Sequence, residues 1–202
     1  MKTIVIASNN AHKAEEIATA LAFPGWEFRT LRQLGLDSDP AEDADTFEGN
    51  ARIKAQAARA ASGLAVLADD SGLAVDALDG APGVHSARYA GEPCDDAANN
   101  AKLLAELADV PDEKRTGRFV CTLVFIDEDG TESVARGTIE GSIGREPRGS
   151  EGFGYDPLFL PDEYGGTRAL AEVSQAEKNG ISHRGNALRV LKKALSQSVD
   201  ER

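Results

Sequence analysis

The sequence predicts an α/β protein with a mixed β-sheet and flanking helices, and three observations carry that prediction. The chain opens strand, loop, helix, and β-branched runs then alternate with alanine-rich stretches of helical character. Two β-rich runs, 119–126 and 132–139, are separated by Asp127-Glu128-Asp129-Gly130, which reads as a hairpin and makes the sheet mixed rather than purely parallel. The 202 residues, 41% of them hydrophobic, suffice for a sizeable core in one large domain or two closely packed lobes.

Thr3-Ile4-Val5-Ile6-Ala7 is β-branched and uninterrupted, which predicts a buried first strand, and Ser8-Asn9-Asn10 follows with turn and cap chemistry. Residues 13–22 carry helix formers with Ile17 and Leu21 four apart, before Phe23-Pro24-Gly25 stops the helix. A second strand is expected at 26–31 and an irregular acidic connection at 35–45, holding Glu42, Asp43 and Asp45. Thr46 caps an expected helix from about 47 to 61 that ends at Ser62-Gly63. The apolar run 64–68 is then a strand leading into Asp69-Asp70-Ser71-Gly72, read as the point where strand gives way to turn, with 72–75 continuing as extended chain. A helix follows at 95–107, with Leu103, Leu104 and Leu107 on or near one face. Glycines at 141, 144, 149, 152 and 154 mark a long loop, and a helix from 186 to about 195 closes the chain. No internal repeat is visible.

Charge and cysteine usage narrow the function. A net charge of −12 argues against a broad grip on nucleic acid, which needs a basic face, while leaving room for local binding of a small polyanion. Cys94 and Cys121 form neither a Cys-x-x-Cys pair nor a disulfide framework, so a structural zinc is not expected and a reducing cytoplasm is the simplest assignment. The short apolar start is far below the roughly 20 residues that span a bilayer, so no membrane association is expected.

Several strings carry chemistry. Asp69-Asp70 supplies hard oxygens suited to Mg2+, which commonly bridges a protein carboxylate to substrate phosphates. Taken alone, the string reads more readily as a solvated turn. Ser8-Asn9-Asn10-Ala11-His12-Lys13 sits where a helix N-terminus and a lysine can hold phosphate, although it also reads as a cap followed by an exposed lysine. No Walker pattern is present. Gly152-Phe153-Gly154-Tyr155-Asp156-Pro157 combines close backbone approach, an aromatic stacking face and a carboxylate acceptor, which suits a nucleobase or, equally, a tight turn around a core Phe. Lys178 with Ser182-His183-Arg184-Gly185 is a basic cluster suited to a phosphate or a base oxygen, or to helix capping and surface pairing. His85-Ser86-Ala87-Arg88 admits a ligand role and a structural one alike, and neither cysteine nor any Gly-x-Ser-x-Gly elbow supports covalent hydrolysis.

Taken together and in order, these strings, with Thr46-Phe47-Glu48-Gly49-Asn50-Ala51, Lys54 and Pro82-Gly83-Val84-His85-Ser86-Ala87-Arg88-Tyr89, resemble the motifs of the inosine/xanthosine triphosphate pyrophosphatase family, also called the Ham1 or RdgB family. The resemblance covers almost the whole chain, treated as one domain over 1–202, and six ordered motifs at family-like spacing are highly specific. It implies a Mg2+-dependent pyrophosphohydrolase that converts ITP, dITP and XTP to monophosphate and pyrophosphate and so cleanses the nucleotide pool. It also implies a cytoplasmic homodimer whose long mixed sheet joins two lobes around a central cleft that takes the substrate.

Carried onto this chain, the resemblance assigns Ser8, Asn9, Asn10, Ala11, His12 and Lys13 to the triphosphate, and Asp70 to water activation and metal contact. Ser71 lies beside the substrate. Phe153, Gly154, Tyr155 and Asp156 embrace base and sugar, Lys178 contacts phosphate or base, and His183 and Arg184 read the purine. Glu42 is the best match for a second Mg2+ contact, with Asp43 and Asp45 competing for that role, and Lys54 serves in charge neutralisation or pairing. Two rival readings are a nucleotide-binding regulatory module without chemistry and a different hydrolase of the Maf type; Asp70 with Lys13 argues against the first, and the Phe-Gly-Tyr-Asp and Ser-His-Arg-Gly strings argue against the second.

Overall fold

The computed structural model describes residues 1–8, 11–21, 23 and 25–200, with the backbone alone at 11, 12, 15, 20 and 197–200. Among these residues the order is β1 (Lys2–Ala7), α1 (Ala11–Ala20), β2 (Trp26–Thr30), α2 (Phe47–Ser62), β3 (Ala65–Val75), α3 (Asp96–Glu106), β4 (Thr116–Ile126), β5 (Glu132–Ile143), β6 (Phe159–Pro161), α4 (Gln175–Ile181) and α5 (His183–Asp200), with short 3-10 turns between them. The six strands lie in the order β2-β1-β3-β4-β5-β6. β1 runs parallel to β2 and β3 while β5 and β6 are antiparallel, so the sheet is mixed, as the sequence predicts. No described helix is long and apolar enough to cross a membrane.

The chain divides into two compact units, the first formed by residues 1–70, 121–137 and 184–202, the second by 71–120 and 138–183. In the first unit, strand alternation builds two cores. Ile4, Ile6, Ala65, Leu67, Cys121, Leu123 and Phe125 pack with Ala14 and Ile17 of α1 and with Ala187, Leu188 and Leu191 of α5. Their sequence neighbours Val5, Ala7, Val66, Ala68, Val124 and Ile126 pack instead with Ala51, Ala55 and Ala58 of α2. Those three alanines recur at helical spacing and let α2 lie close on the sheet. Thr46 caps α2 by accepting the Gly49 N-H at 3.0 Å, and Gly63 ends it in the left-handed region, both as expected. In the second unit, Leu73 and Val75 of β3 meet Leu103 of α3, Phe119, Ile139 and Phe159 in a separate core. The Arg115 guanidinium lies buried there and donates to the carbonyls of Ile143 and Gly144, each at 2.8 Å.

Four expectations need correction. The turn at Asp69-Asp70-Ser71-Gly72 does not form, because β3 continues to Val75. Both carboxylates find tertiary partners that override their turn preference, and Gly72 packs so tightly that an added Cβ would stand 2.3 Å from Ser86 Oγ and 2.6 Å from the Gly83 carbonyl. The loop expected from Gly141 begins later, since β5 runs to Ile143 and pairs with β6, a short strand that periodicity does not reveal. α4 is a further unforeseen element, although Ser174 and Glu177 form a reciprocal capping box that the Ser-x-x-Glu spacing encodes. α5 starts at His183 rather than 186, which puts His183 and Arg184 in its first turn.

Alternation also decides the fate of the two aspartates. Asp69 continues the face that carries Leu67, and its fully buried carboxylate meets Lys13 Nζ of α1 at 2.8 Å and Arg184 Nε of α5 at 3.3 Å. Arg184 also pairs with Glu16, and the Cys121 thiol donates to Asp69 Oδ2 at 2.9 Å. Burial works against the Asp69 charge, but the Arg184 and Lys13 cations outweigh it and hold the carboxyl well below the usual carboxylate range. Burial and the neighbouring Asp69 push the Cys121 thiol far up.

Removing one partner of a buried ion pair leaves uncompensated charge, so Asp69→Asn is expected to lower the unfolding free energy at pH 7 by about 3 kcal/mol or more in urea titrations. Because the folded Asp69 carboxyl lies below its unfolded value, its contribution is present above roughly pH 4 and is lost as pH falls further. The variant therefore shows a shallower loss of stability below that pH than the native chain, and coincident curves would contradict the assignment. Cys94 is exposed and Cys121 buried, so a thiol reagent is expected to label one cysteine rapidly in the native protein and the other only after denaturation.

Candidate active site

In the first unit, Asp70 faces the α2 side of the sheet, opposite to Asp69. Its Oδ1 accepts from Lys54 Nζ at 2.8 Å, and the same ammonium reaches Glu42 Oε2 at 2.9 Å. One lysine thus gathers two carboxylates. The loop that brings Glu42 there is tied to α2 through the buried Asn50, whose Oδ1 accepts the Ala44 N-H at 3.0 Å. Of the three acidic candidates in this loop, Glu42 is drawn to Lys54, while Asp43 and Asp45 lie exposed.

The two oxygens of Asp70 differ. Oδ1 is fixed by Lys54, whereas Oδ2 is buried and, among the described residues, has no hydrogen-bond partner. Such an orphan costs about 1–3 kcal/mol unless a ligand or water completes it. Burial pushes the Asp70 carboxyl up in spite of the Lys54 charge, so this oxygen holds a proton more readily than an exposed aspartate. For Lys54 the balance is reversed, since Asp70 and Glu42 outweigh the effect of burial and keep the ammonium charged.

The structure places the remaining predicted residues of this unit as follows. Ser8 is half-buried at the end of β1. Asn9 and Asn10 lie outside the described residues, as do the side chains of Ala11 and His12 in the first turn of α1. Lys13 and Arg184 are engaged with Asp69. No group of three or more His, Cys, Asp or Glu suited to a metal occurs among the described residues. Mg2+ is nonetheless commonly held by one or two carboxylates together with substrate phosphates and water, and the Asp70 and Glu42 oxygens meet that requirement.

In the second unit, residues 152–156 form a tight turn. Gly152 has φ +78°, and an added Cβ would stand 2.1 Å from Asp156 Oδ2, so any other residue strains the backbone and displaces the Asp156 carboxylate. Asp156 Oδ2 accepts the Phe153 N-H at 2.9 Å and Lys178 Nζ at 2.6 Å, both groups of the pair being buried. Lys178 Nζ also stands 4.8 Å from the centre of the Phe153 ring. Tyr155 is buried and its hydroxyl donates to the Ser86 carbonyl at 2.8 Å, and burial pushes that phenol up. The Ser86 hydroxyl in turn donates to the Gly83 carbonyl at 2.6 Å and accepts the Leu73 N-H at 2.9 Å, which settles the structural role of this serine. Ser71 is half-buried on β3, His85 is exposed, and the buried His183 ring stacks on Phe119 with centroids 4.9 Å apart. The sequence motifs thus fall into one group around Asp70 and another around Phe153.

Four contributors escaped the sequence reading. Glu16 is a further partner of Arg184, and Cys121 of Asp69. Asp96 and Asn100 of α3 hold the backbone of Gly154. The four-residue spacing of the last two marks one helix face but says nothing of the turn they meet.

The sequence pattern of the Ham1 family matches residues 4–194. The dITP/XTP pyrophosphatase of Exiguobacterium sibiricum is 49% identical over 198 residues, covering 98% of this chain and 99% of that protein. The protein of the same name from Nocardia farcinica is 50% identical, covering 99% of this chain and 98% of its own. Among solved structures, a HAM1 protein from Coxiella burnetii superposes with a TM-score of 0.88 at 41% identity, covering 98% of this chain and all of that one. Half the residues shared along nearly the full length, with the same fold beneath them, establish that this chain belongs to the Ham1 family.

Proposed function

We propose that the chain hydrolyses non-standard purine nucleoside triphosphates, namely ITP, dITP and XTP, to the monophosphate and pyrophosphate by water attack on the α-phosphorus. The names of its relatives support nucleotide hydrolysis. The observation that carries the chemistry is the Asp70 carboxylate, anchored through one oxygen by Lys54 while the other is buried with no protein partner among the described residues.

In this reading Asp70 Oδ2 takes the proton of the attacking water. Lys54 fixes the carboxylate plane so that the base cannot swing away, and burial raises its proton affinity above that of an exposed aspartate. A positioned base of this kind contributes typically about 10²- to 10⁴-fold in rate. Asp70 and Glu42 would hold Mg2+, which would compensate the phosphate charge when bound. Ser8 to Lys13 bind the triphosphate in this assignment, Phe153 to Asp156 take base and sugar, and Lys178, Ser71 and His183 lie along the substrate. The Arg184 guanidinium is paired with Asp69 and Glu16, and in this reading either Arg184 or a nearby backbone N-H donates to the 6-oxygen of the base. Adenine carries an amino group at that position, and the mismatch disfavours it by about 1–3 kcal/mol. The same reading carries a cytoplasmic homodimer, which light scattering of the purified protein tests.

Incubation with Mg2+ and ITP, XTP, dTTP or GTP in turn is expected to release pyrophosphate and monophosphate from ITP and XTP in preference to the others. Orthophosphate as the sole direct product would overturn the proposed attack. Asp70→Asn is expected to lower turnover by about 10²-fold or more while thermal unfolding stays cooperative. Near-normal turnover in that variant would remove Asp70 from the role of base.

A further inference from the structure

The turn that carries Phe153 is gripped from both sides of a single residue. The Gly154 N-H donates to Asp96 Oδ2 at 2.7 Å, and the Gly154 carbonyl accepts from Asn100 Nδ2 at 2.9 Å. Asp96 and Asn100 are four residues apart on α3 and thus neighbours on one helix face. The Asn100 amide also donates to the Asp96 backbone carbonyl at 2.9 Å. Both partners of Nδ2 are acceptors, which fixes the orientation of the amide, because the flipped form would set oxygen against oxygen. The cost is visible: Asn100 Oδ1 is buried with no hydrogen-bond partner among the described residues. A buried acceptor left unsatisfied in this way calls for a compensating role.

The Gly154 peptide is the direct continuation of Phe153. On its other side Phe153 is held by its own N-H bond to Asp156, the carboxylate that also binds Lys178. The ring is therefore defined by Asp156 within the turn, by Lys178 from α4, and by Asp96 and Asn100 from α3. We infer that Asp96 and Asn100 are positioning residues that present the Phe153 ring to the purine base, and so set affinity for the nucleotide rather than the rate of the chemical step. This rests on the assignment of Phe153 to the base under the proposed function. Asp96 needs only to accept a hydrogen bond, and Asn100 only to donate one. Neither requirement depends on a charge.

The test compares steady-state kinetics with ITP for the native protein, Phe153→Ala, Asp96→Ala, Asn100→Ala, Asp96→Asn and Asn100→Asp, with thermal unfolding of each. Asp96→Ala and Asn100→Ala are expected to raise KM about tenfold with kcat within about twofold and a cooperative unfolding transition retained. Asp96→Asn keeps an acceptor and restores most of the affinity lost in Asp96→Ala, whereas Asn100→Asp sets an acceptor against the Gly154 carbonyl and is no better than Asn100→Ala. The double alanine variant costs less than the product of the single effects, because both residues hold one peptide. If Phe153→Ala raises KM while the α3 variants leave it unchanged, or lower kcat alone, the clamp is wrong and the base assignment stands. If Phe153→Ala leaves KM unchanged, the base assignment itself fails and the inference falls with it.

Discussion

A β-strand turns successive side chains to opposite faces, and on β3 that rule separates two adjacent aspartates into two unrelated environments. Asp69 is drawn into the core between α1 and α5, and Asp70 is delivered to the side occupied by α2. A one-residue slip in the pairing of β3 with β1, whose register sets Ile6 against Leu67 and Ala7 against Ala68, would exchange the two carboxylates. The packing that holds this register is dense and apolar on both faces, so the division of labour rests on burial of Leu67, Val66 and their neighbours as much as on any polar contact.

The two environments produce opposite electrostatics from the same functional group. Asp69 is surrounded by Lys13, Arg184 and the Cys121 thiol, and those cations hold it ionised against full burial. It is a structural anion that ties α1 and α5 to the sheet. Asp70 has one fixed ammonium and one oxygen that, among the described residues, has no protein partner, and burial raises its proton affinity. A saturated carboxylate is a poor base and a poor ligand, while a half-saturated one is available to water or metal. Lys54 makes this possible by holding Asp70 and Glu42 together, so that two acids share one charge without repelling the loop away.

Much of this was readable in the chain. The first strand, the cap at Thr46, the stop at Gly63 and the hairpin at 127–130 each have a local cause, and each formed where that cause lies. What was not readable depends on contacts distant in sequence. The preference of Asp-Asp-Ser-Gly for a turn was overridden by Lys13, Arg184 and Lys54, up to 115 residues away. β6 exists because β5 offers it an edge, and its three residues carry no period of their own. Arg184 belongs to a matching motif, and nothing in the motif told of the Asp69 and Glu16 carboxylates with which its guanidinium pairs. The pairing of Glu42 with Lys54, while Asp43 and Asp45 lie exposed, likewise became visible only in the fold.

The turn at 152–156 follows the same economy of one group serving several. Asp156 fixes a backbone N-H and a lysine at once, and the lysine lies against the aromatic ring. In the proposed reaction the Asp70 oxygen directs water to the α-phosphorus. Single-turnover hydrolysis of ITP in 18O-labelled water, followed by 31P isotope shifts, tests this most directly. The account predicts one 18O in the monophosphate and none in the pyrophosphate. Label in the pyrophosphate would place the attack on the β-phosphorus and contradict it.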